Sequence, residues 1–211
     1  MKSILCFGDS NTWGFIPGSD HDRFPYDVRW PGVTAAELGN DYHVTECGLS
    51  GRTTVWEDAT WPDRCGRVHL PSALDTHKPL DLVVIMLGTN DLKHHLGVNA
   101  TDIASGMETL IGMVKTSNSG PDKSAPAILI VAPPPVIDEA VEICGPMFLD
   151  AKEKSLGLDA ALSRVAEQQG CAYLNAGAIA VSDPADGLHL SAESHRALGR
   201  AIGAKIKETL A

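Results

Sequence analysis

The stretch Ile4-Leu5-Cys6-Phe7-Gly8-Asp9-Ser10-Asn11-Thr12-Trp13-Gly14 begins as an apolar run and stops abruptly at Gly-Asp-Ser. Ile, Leu, Cys and Phe in succession, with no polar alternation, predict a strand covered on both faces, as in a parallel sheet. Gly8 is expected to allow backbone angles that a side chain forbids. Ser10 then lies at the carboxyl edge of the sheet, where open α/β sheets bind their ligands.

Working outward, strand-like runs recur at residues 3–7, 42–47, 82–87, 127–131 and 172–175, each followed by loop or helical sequence. That alternation predicts an α/β fold, a parallel sheet with helices on both faces. Leu-Val-Val-Ile-Met-Leu and Ala-Ile-Leu-Ile-Val are apolar throughout, which makes the third and fourth strands central. Helices are expected at residues 30–38, 101–117, 150–169 and 191–210. In the last, Leu198, Ala201, Ile202, Ile206 and Leu210 recur every three or four positions, and Ser191 is a suitable N-cap. Residues 53–77, with Trp56, Trp61, Pro62 and Pro71, and residues 133–147, with three consecutive prolines, fit neither pattern. Connections of that length usually cover a site or form an interface. Residues 117–126 read as an exposed loop.

With 211 residues and ordinary globular composition, the chain reads as a single domain spanning 1–211. No apolar run reaches the roughly 18 to 20 residues needed to span a bilayer. The run after Lys2 ends at Gly8-Asp9, too soon for a signal peptide, so a cytoplasmic protein is expected. Seventeen Lys and Arg against 27 Asp and Glu give a net charge of −10 with no basic stripe. Nucleic acid and anionic membrane are therefore not expected partners. The five cysteines, Cys6, Cys47, Cys65, Cys144 and Cys171, form no Cys-x-x-Cys pair and read mostly as small buried hydrophobes. His94-His95 lacks a third spaced ligand, so no metal is expected. No nucleotide-binding glycine motif is present, and no cofactor is expected.

Each polar cluster follows a strand or leads into the final helix. Gly8-Asp9-Ser10 follows the first strand, Gly48-Leu49-Ser50-Gly51-Arg52 the second and Gly88-Thr89-Asn90-Asp91 the third, while Asp186-Gly187-Leu188-His189 precedes the last helix. All four must open on one side of a parallel sheet. These are the parts acyl transfer needs. A serine hydroxyl requires an imidazole to accept its proton, and a carboxylate to fix the imidazole tautomer. Asp186 and His189, three residues apart, can meet while His189 points at Ser10. The backbone N–H groups of Ser10 and Gly51 and the side-chain amide of Asn90 can receive an oxyanion. Asp9 and Asp91 are expected to bond backbone amides in their own turns.

These blocks resemble the SGNH or GDSL hydrolases: Gly-Asp-Ser at 8–10, the glycine turn ending at Gly51, Gly-Thr-Asn-Asp at 88–91 and Asp-Gly-Leu-His at 186–189. The resemblance spans essentially the whole chain. It implies a three-layer flavodoxin-like fold with strand order 2-1-3-4-5, a Ser10/His189/Asp186 triad and an oxyanion hole from Ser10, Gly51 and Asn90. The wording around the blocks, such as Cys-Phe-Gly-Asp-Ser-x-Thr-Trp-Gly, Asp-Val-Arg-Trp and Ile-Met-Leu-Gly-Thr-Asn-Asp, is most similar to the bacterial arylesterase/acyltransferase subgroup. That subgroup implies short acyl ester substrates, including carbohydrate acetates, acyl transfer to alcohols beside hydrolysis, and homo-oligomers up to octamers. Trp13 is expected to line the pocket. Two alternatives stay open: a thioesterase or lysophospholipase with the same machinery, and a non-catalytic binding protein on this fold.

Overall fold

The computed structural model describes residues 1–211. Strands β1 (Lys2–Gly8), β2 (Tyr42–Gly48), β3 (Leu82–Met86), β4 (Ala127–Ala132) and β5 (Ala172–Asn175) form a parallel sheet in the order β2-β1-β3-β4-β5. The chain leaves β1 toward one edge and returns at β3 to build toward the other. The order therefore reverses between β1 and β3, and a crevice opens there beyond the strand ends. Gly8 ends β1 beside both Gly48 and Met86, so the Gly-Asp-Ser turn emerges at that crevice.

Alternate residues of the central strands point into two separate cores, as the period of two requires. Leu5, Phe7, Val83, Ile85, Ile128 and Ile130 face one layer, whereas Ile4, Cys6, Leu82, Val84, Met86, Leu129 and Val131 face the other. Burying both faces explains why β3 and β4 read as continuous apolar runs. The second layer is closed by α2 (Trp30–Leu38) and α8 (Ala192–Thr209), which bury Trp30, Leu198, Ile202 and Ile206. Between β1 and α2, the short α1 (Ser10–Trp13) carries the candidate serine. The first layer is closed by α3 (Gly66–His77), α4 (Ala100–Thr116) and α7 (Leu158–Gln168), with α5 (Glu139–Cys144) and α6 (Ala151–Leu156) nearer the crevice.

The strands and the helix at 30–38 lie where the sequence places them, and Ser191 caps α8 by accepting from Ser194 N at 3.1 Å. Two helical expectations change. Residues 66–77, read as irregular because Pro71 breaks the helical ladder, are α3; Leu70, Ala73 and Leu74 hold it on the core, and exposed Pro71 is carried along. The helix expected at 150–169 is two helices, parted at Gly157, where an added Cβ would stand 3.0 Å from Ala100 Cβ of α4.

Candidate active site

Ser10 is positioned by backbone geometry at the end of β1. Asp9 caps α1, its Oδ1 accepting from Asn11 N at 2.9 Å, so Ser10 is the first helical residue and its N–H has no acceptor within the helix. Gly8 is required for space and not for unusual backbone angles: it lies in the regular strand ladder, and a Cβ there would stand 2.0 Å from Thr12 Oγ1 and 2.8 Å from Met86 O.

The loop before α8 brings its pair to the same point. Asp186 Oδ1 accepts from the N–H groups of Leu188 and His189 at 3.0 and 2.9 Å, and Oδ2 accepts from Gly18 N at 3.0 Å. His189 Nδ1 lies 2.8 Å from Asp186 Oδ2, and Nε2 lies 2.9 Å from Ser10 Oγ. Burial pushes the Asp186 carboxyl up, but the bonds from His189, Leu188 and the imidazole outweigh it and hold it down to about 2. A carboxylate facing Nδ1 fixes the proton there, which leaves the Nε2 lone pair toward the serine hydroxyl.

Asn90 and Gly51 arrive from the other two loops. Asn90 Nδ2 donates to Asp9 Oδ2 at 3.4 Å, which leaves its second amide hydrogen for the crevice. Gly51 adopts a φ of 84°, in the left-handed region that favours glycine, and its loop is tied down twice. Arg52 donates to Gly8 O at 2.6 Å and packs its guanidinium 4.1 Å from the Phe7 ring. Asp91 accepts from Thr54 N at 2.9 and 3.1 Å and from Thr54 Oγ1 at 2.5 Å. Asp9 therefore bonds within its own turn as expected, but Asp91 reaches across to another loop. Burial pushes both carboxyls up to about 6, against the hydrogen bonds that favour their charge.

Thus Ser10, His189 and Asp186 form one hydrogen-bonded chain, and Gly51 and Asn90 border the same cavity as Ser10. The model of the GDSL-like lipase/acylhydrolase family matches residues 6–197, a range that includes all four loops. The chain belongs to that family. As a member it is a carboxylic ester hydrolase, and its solved structural neighbours cover its whole length. An aryl esterase of M. smegmatis is 41% identical, with 100% of each chain covered and a TM-score of 0.93. Est24, a carbohydrate acetylesterase from Sinorhizobium meliloti, is 43% identical, with 99% of each chain covered and a TM-score of 0.95. Among curated proteins, an acetylxylan esterase of Xylanibacter ruminicola is 25% identical over 228 residues; the match takes 97% of this chain but only 43% of that protein's length.

In this GDSL-family hydrolase the cavity at Ser10 has a volume of about 170 Å³. Its walls include Phe15, Trp61, Met147, Phe148 and Leu188 beside Ser10, Gly51, Asn90 and His189. Both segments that fitted no regular pattern therefore reach the site, one through Trp61 and the other through Cys144 and Met147, with Phe148 just beyond it. Trp13 is not part of the wall. Its ring lies under the Arg23 guanidinium at 4.9 Å, and its carbonyl accepts from Arg23 Nε at 2.7 Å, which holds it on the outer side of the turn. Phe15 takes the expected place, its ring stacked on the His189 imidazole at 4.2 Å and 22°. Asn11 was also not singled out by the sequence reading. It donates through Nδ2 to Leu188 O at 3.2 Å and accepts at Oδ1 from Leu190 N at 3.0 Å, which clamps the His189 loop to the serine turn. The one available signal was a polar residue next to Ser10 in a stretch otherwise bound for burial. His94 and His95 turn to Asp150 and Asp58 respectively, away from each other's partners.

Proposed function

We propose that this ester hydrolase cleaves acetyl and other short acyl esters of aryl, alkyl or carbohydrate alcohols through an acyl-enzyme on Ser10. His189 Nε2 takes the proton of Ser10 Oγ as the hydroxyl attacks the ester carbonyl, and Asp186 stabilises the imidazolium. Ser10 N–H, Gly51 N–H and the Asn90 amide receive the oxyanion. His189 then returns its proton to the departing alcohol, and water resolves the acyl-enzyme by the same steps in reverse.

The observation that carries the short-chain reading is a cavity of about 170 Å³ at the end of the Ser10-His189-Asp186 chain. A void near 150 Å³ is filled by about one benzene ring, so a long acyl chain does not fit. Rates on 4-nitrophenyl esters from two to twelve carbons test it. Activity should be highest at acetyl and propionyl and fall away by about six to eight carbons, since each methylene contributes ~0.8 kcal/mol only while there is room for it. Rates that climb toward ten carbons contradict the reading and favour a lysophospholipase or long-chain thioesterase.

The largely apolar wall favours a second activity, because it limits water at the acyl-enzyme and lets an alcohol compete for it. Product partition between free acid and new ester, measured with an added alcohol in water, tests this; acid alone contradicts it. Five free thiols fit the reducing cytoplasm expected from the sequence. Exposed Ile143, Met147, Leu149 and Leu156 on the segment beside the cavity support the expected homo-oligomer.

A further inference from the structure

One cluster in the cavity wall has no part in the mechanism above. The Lys93 side chain is 2% exposed and lines the same cavity as Ser10, Gly51 and Asn90. Its Nζ donates to Asp58 Oδ2 at 2.6 Å and stands 5.2 Å from the centre of the Trp61 ring. Asp58, wholly buried at its side chain, also accepts from Thr60 N at 2.9 Å and Thr60 Oγ1 at 2.6 Å and faces His95 Nε2 at 2.9 Å. Burial works against the Asp58 charge, but the bonds from Lys93, Thr60 and His95 hold its carboxyl well below the usual range. Trp61 in turn packs against the oxyanion loop: a Cβ on Gly51 would stand 2.7 Å from Trp61 Cε3. The cluster therefore adjoins the reacting centre.

An ammonium has three N–H donors, and Asp58 takes one of them. The chain offers the other two no oxygen or nitrogen acceptor, which is costly for a group this buried. We propose that Lys93 is a specificity-determining residue whose remaining N–H groups donate to a hydroxyl or ether oxygen of the substrate, so that the enzyme prefers acetates of polyhydroxylated alcohols. Two features favour a neutral oxygen over a carboxylate. Asp58 already balances the ammonium, and the chain as a whole carries a net charge of −10, so a second carboxylate meets no free positive charge there. An alcohol moiety with no oxygen beyond the ester leaves the donors unpaired, which is how a polar site rejects an apolar analogue. This inference rests on the ester-hydrolase reading of Ser10 and names the substrate class for the same site.

The test compares two acetates of similar ring size, xylose monoacetate and cyclohexyl acetate. The parent enzyme should favour the sugar by about tenfold or more in kcat/KM, and Lys93→Met should collapse that ratio toward one. Because Lys93→Met leaves the Asp58 carboxylate buried without its lysine counter-charge, Lys93→Met/Asp58→Asn is measured beside it and should show the same collapse. A parent that prefers cyclohexyl acetate, or a ratio that survives in the double variant, overturns the proposal. So does a parent preference for the acetate of 4-hydroxycyclohexanecarboxylate over the sugar. Failure of the parent to hydrolyse any of these acetates refutes the short-acyl reading itself and is thereby told apart from the failure of this one.

Discussion

The loops at residues 8–10, 48–52, 88–91 and 186–189 are bound to one another by hydrogen bonds, whereas the segment at 139–149 reaches the same cavity mainly through packing. Asp9 holds Asn11 and Asn90, Arg52 holds the end of β1, and Asp186 collects donors from Gly18 and Leu188 besides His189. Near the second region, Ile137 N donates to Gly187 O, Ala140 sits where a Cβ of Gly187 would clash at 2.2 Å from its N, and Phe148 is buried. No side chain of 139–149 hydrogen-bonds to those loops, and Ile143, Met147 and Leu149 are exposed. Reacting groups have to be held to fractions of an ångström, which directional bonds achieve; a cavity wall has only to exclude volume, which apolar contact achieves.

That difference can be attacked from either side. On the tightly bonded side, Ser10→Ala should cost about 10⁴- to 10⁶-fold in kcat on 4-nitrophenyl acetate while leaving the thermal midpoint near the parent's. Retained hydrolysis would mean that the hydrogen-bonded chain is not the reacting one. Asn90→Ala should lower kcat by about 10²- to 10³-fold with little change in KM, as expected for a donor used in the transition state. A rise in KM alone would place Asn90 in ground-state binding instead.

The buried Asp9 is open to a test of stability against pH. Its pKa is raised from 3.8 to about 6 by burial, so the folded state holds its proton more tightly than the unfolded chain. Stability from this source is present below about pH 4 and is lost as pH rises through about 6. Asp9→Asn escapes that loss. Relative to the parent it should therefore gain roughly 2–3 kcal/mol between pH 4 and pH 8 in denaturant unfolding. Asp91 titrates in the same window, and because the Asp9 charge helps to raise it, Asp9→Asn should also ease the loss from Asp91 and add to the same trend. A stability difference that stays constant with pH contradicts the buried charge. On the loosely held side the effects should be smallest. Met147→Ala should raise the rate on butyryl relative to acetyl esters by roughly fourfold per methylene admitted, without altering the response to Ser10→Ala.

The same contrast governs how much could be read from the sequence. The strands were legible because burial on both faces forces continuous apolar runs, and the four loops were legible because their residue types are dictated by chemistry. Asn90, Gly51, Asp186 and His189 each stand at the end of a strand or the start of a helix, where sequence order alone fixes which face of the sheet they share. Tertiary packing overrode local signals elsewhere. Pro71 marks a helix end by propensity, yet the helix runs through it because Leu70, Ala73 and Leu74 are held on the core. Whether Trp13 or Phe15 faces the cavity depends on how Gly14, at a φ of 91°, turns the chain, and on Arg23 capturing the tryptophan. The bond from Thr54 to Asp91 spans 37 residues and has no local signature. Asp58 and Lys93, 35 apart, were silent for the same reason.

The central claim is that Ser10, activated by His189, becomes acylated. Treatment with a serine-reactive fluorophosphonate followed by intact and peptide mass measurement tests it most directly. One adduct per chain is expected, located on Ser10, absent from Ser10→Ala and strongly slowed in His189→Ala. An adduct on another residue, or no adduct in an enzyme that still hydrolyses 4-nitrophenyl acetate, would contradict it.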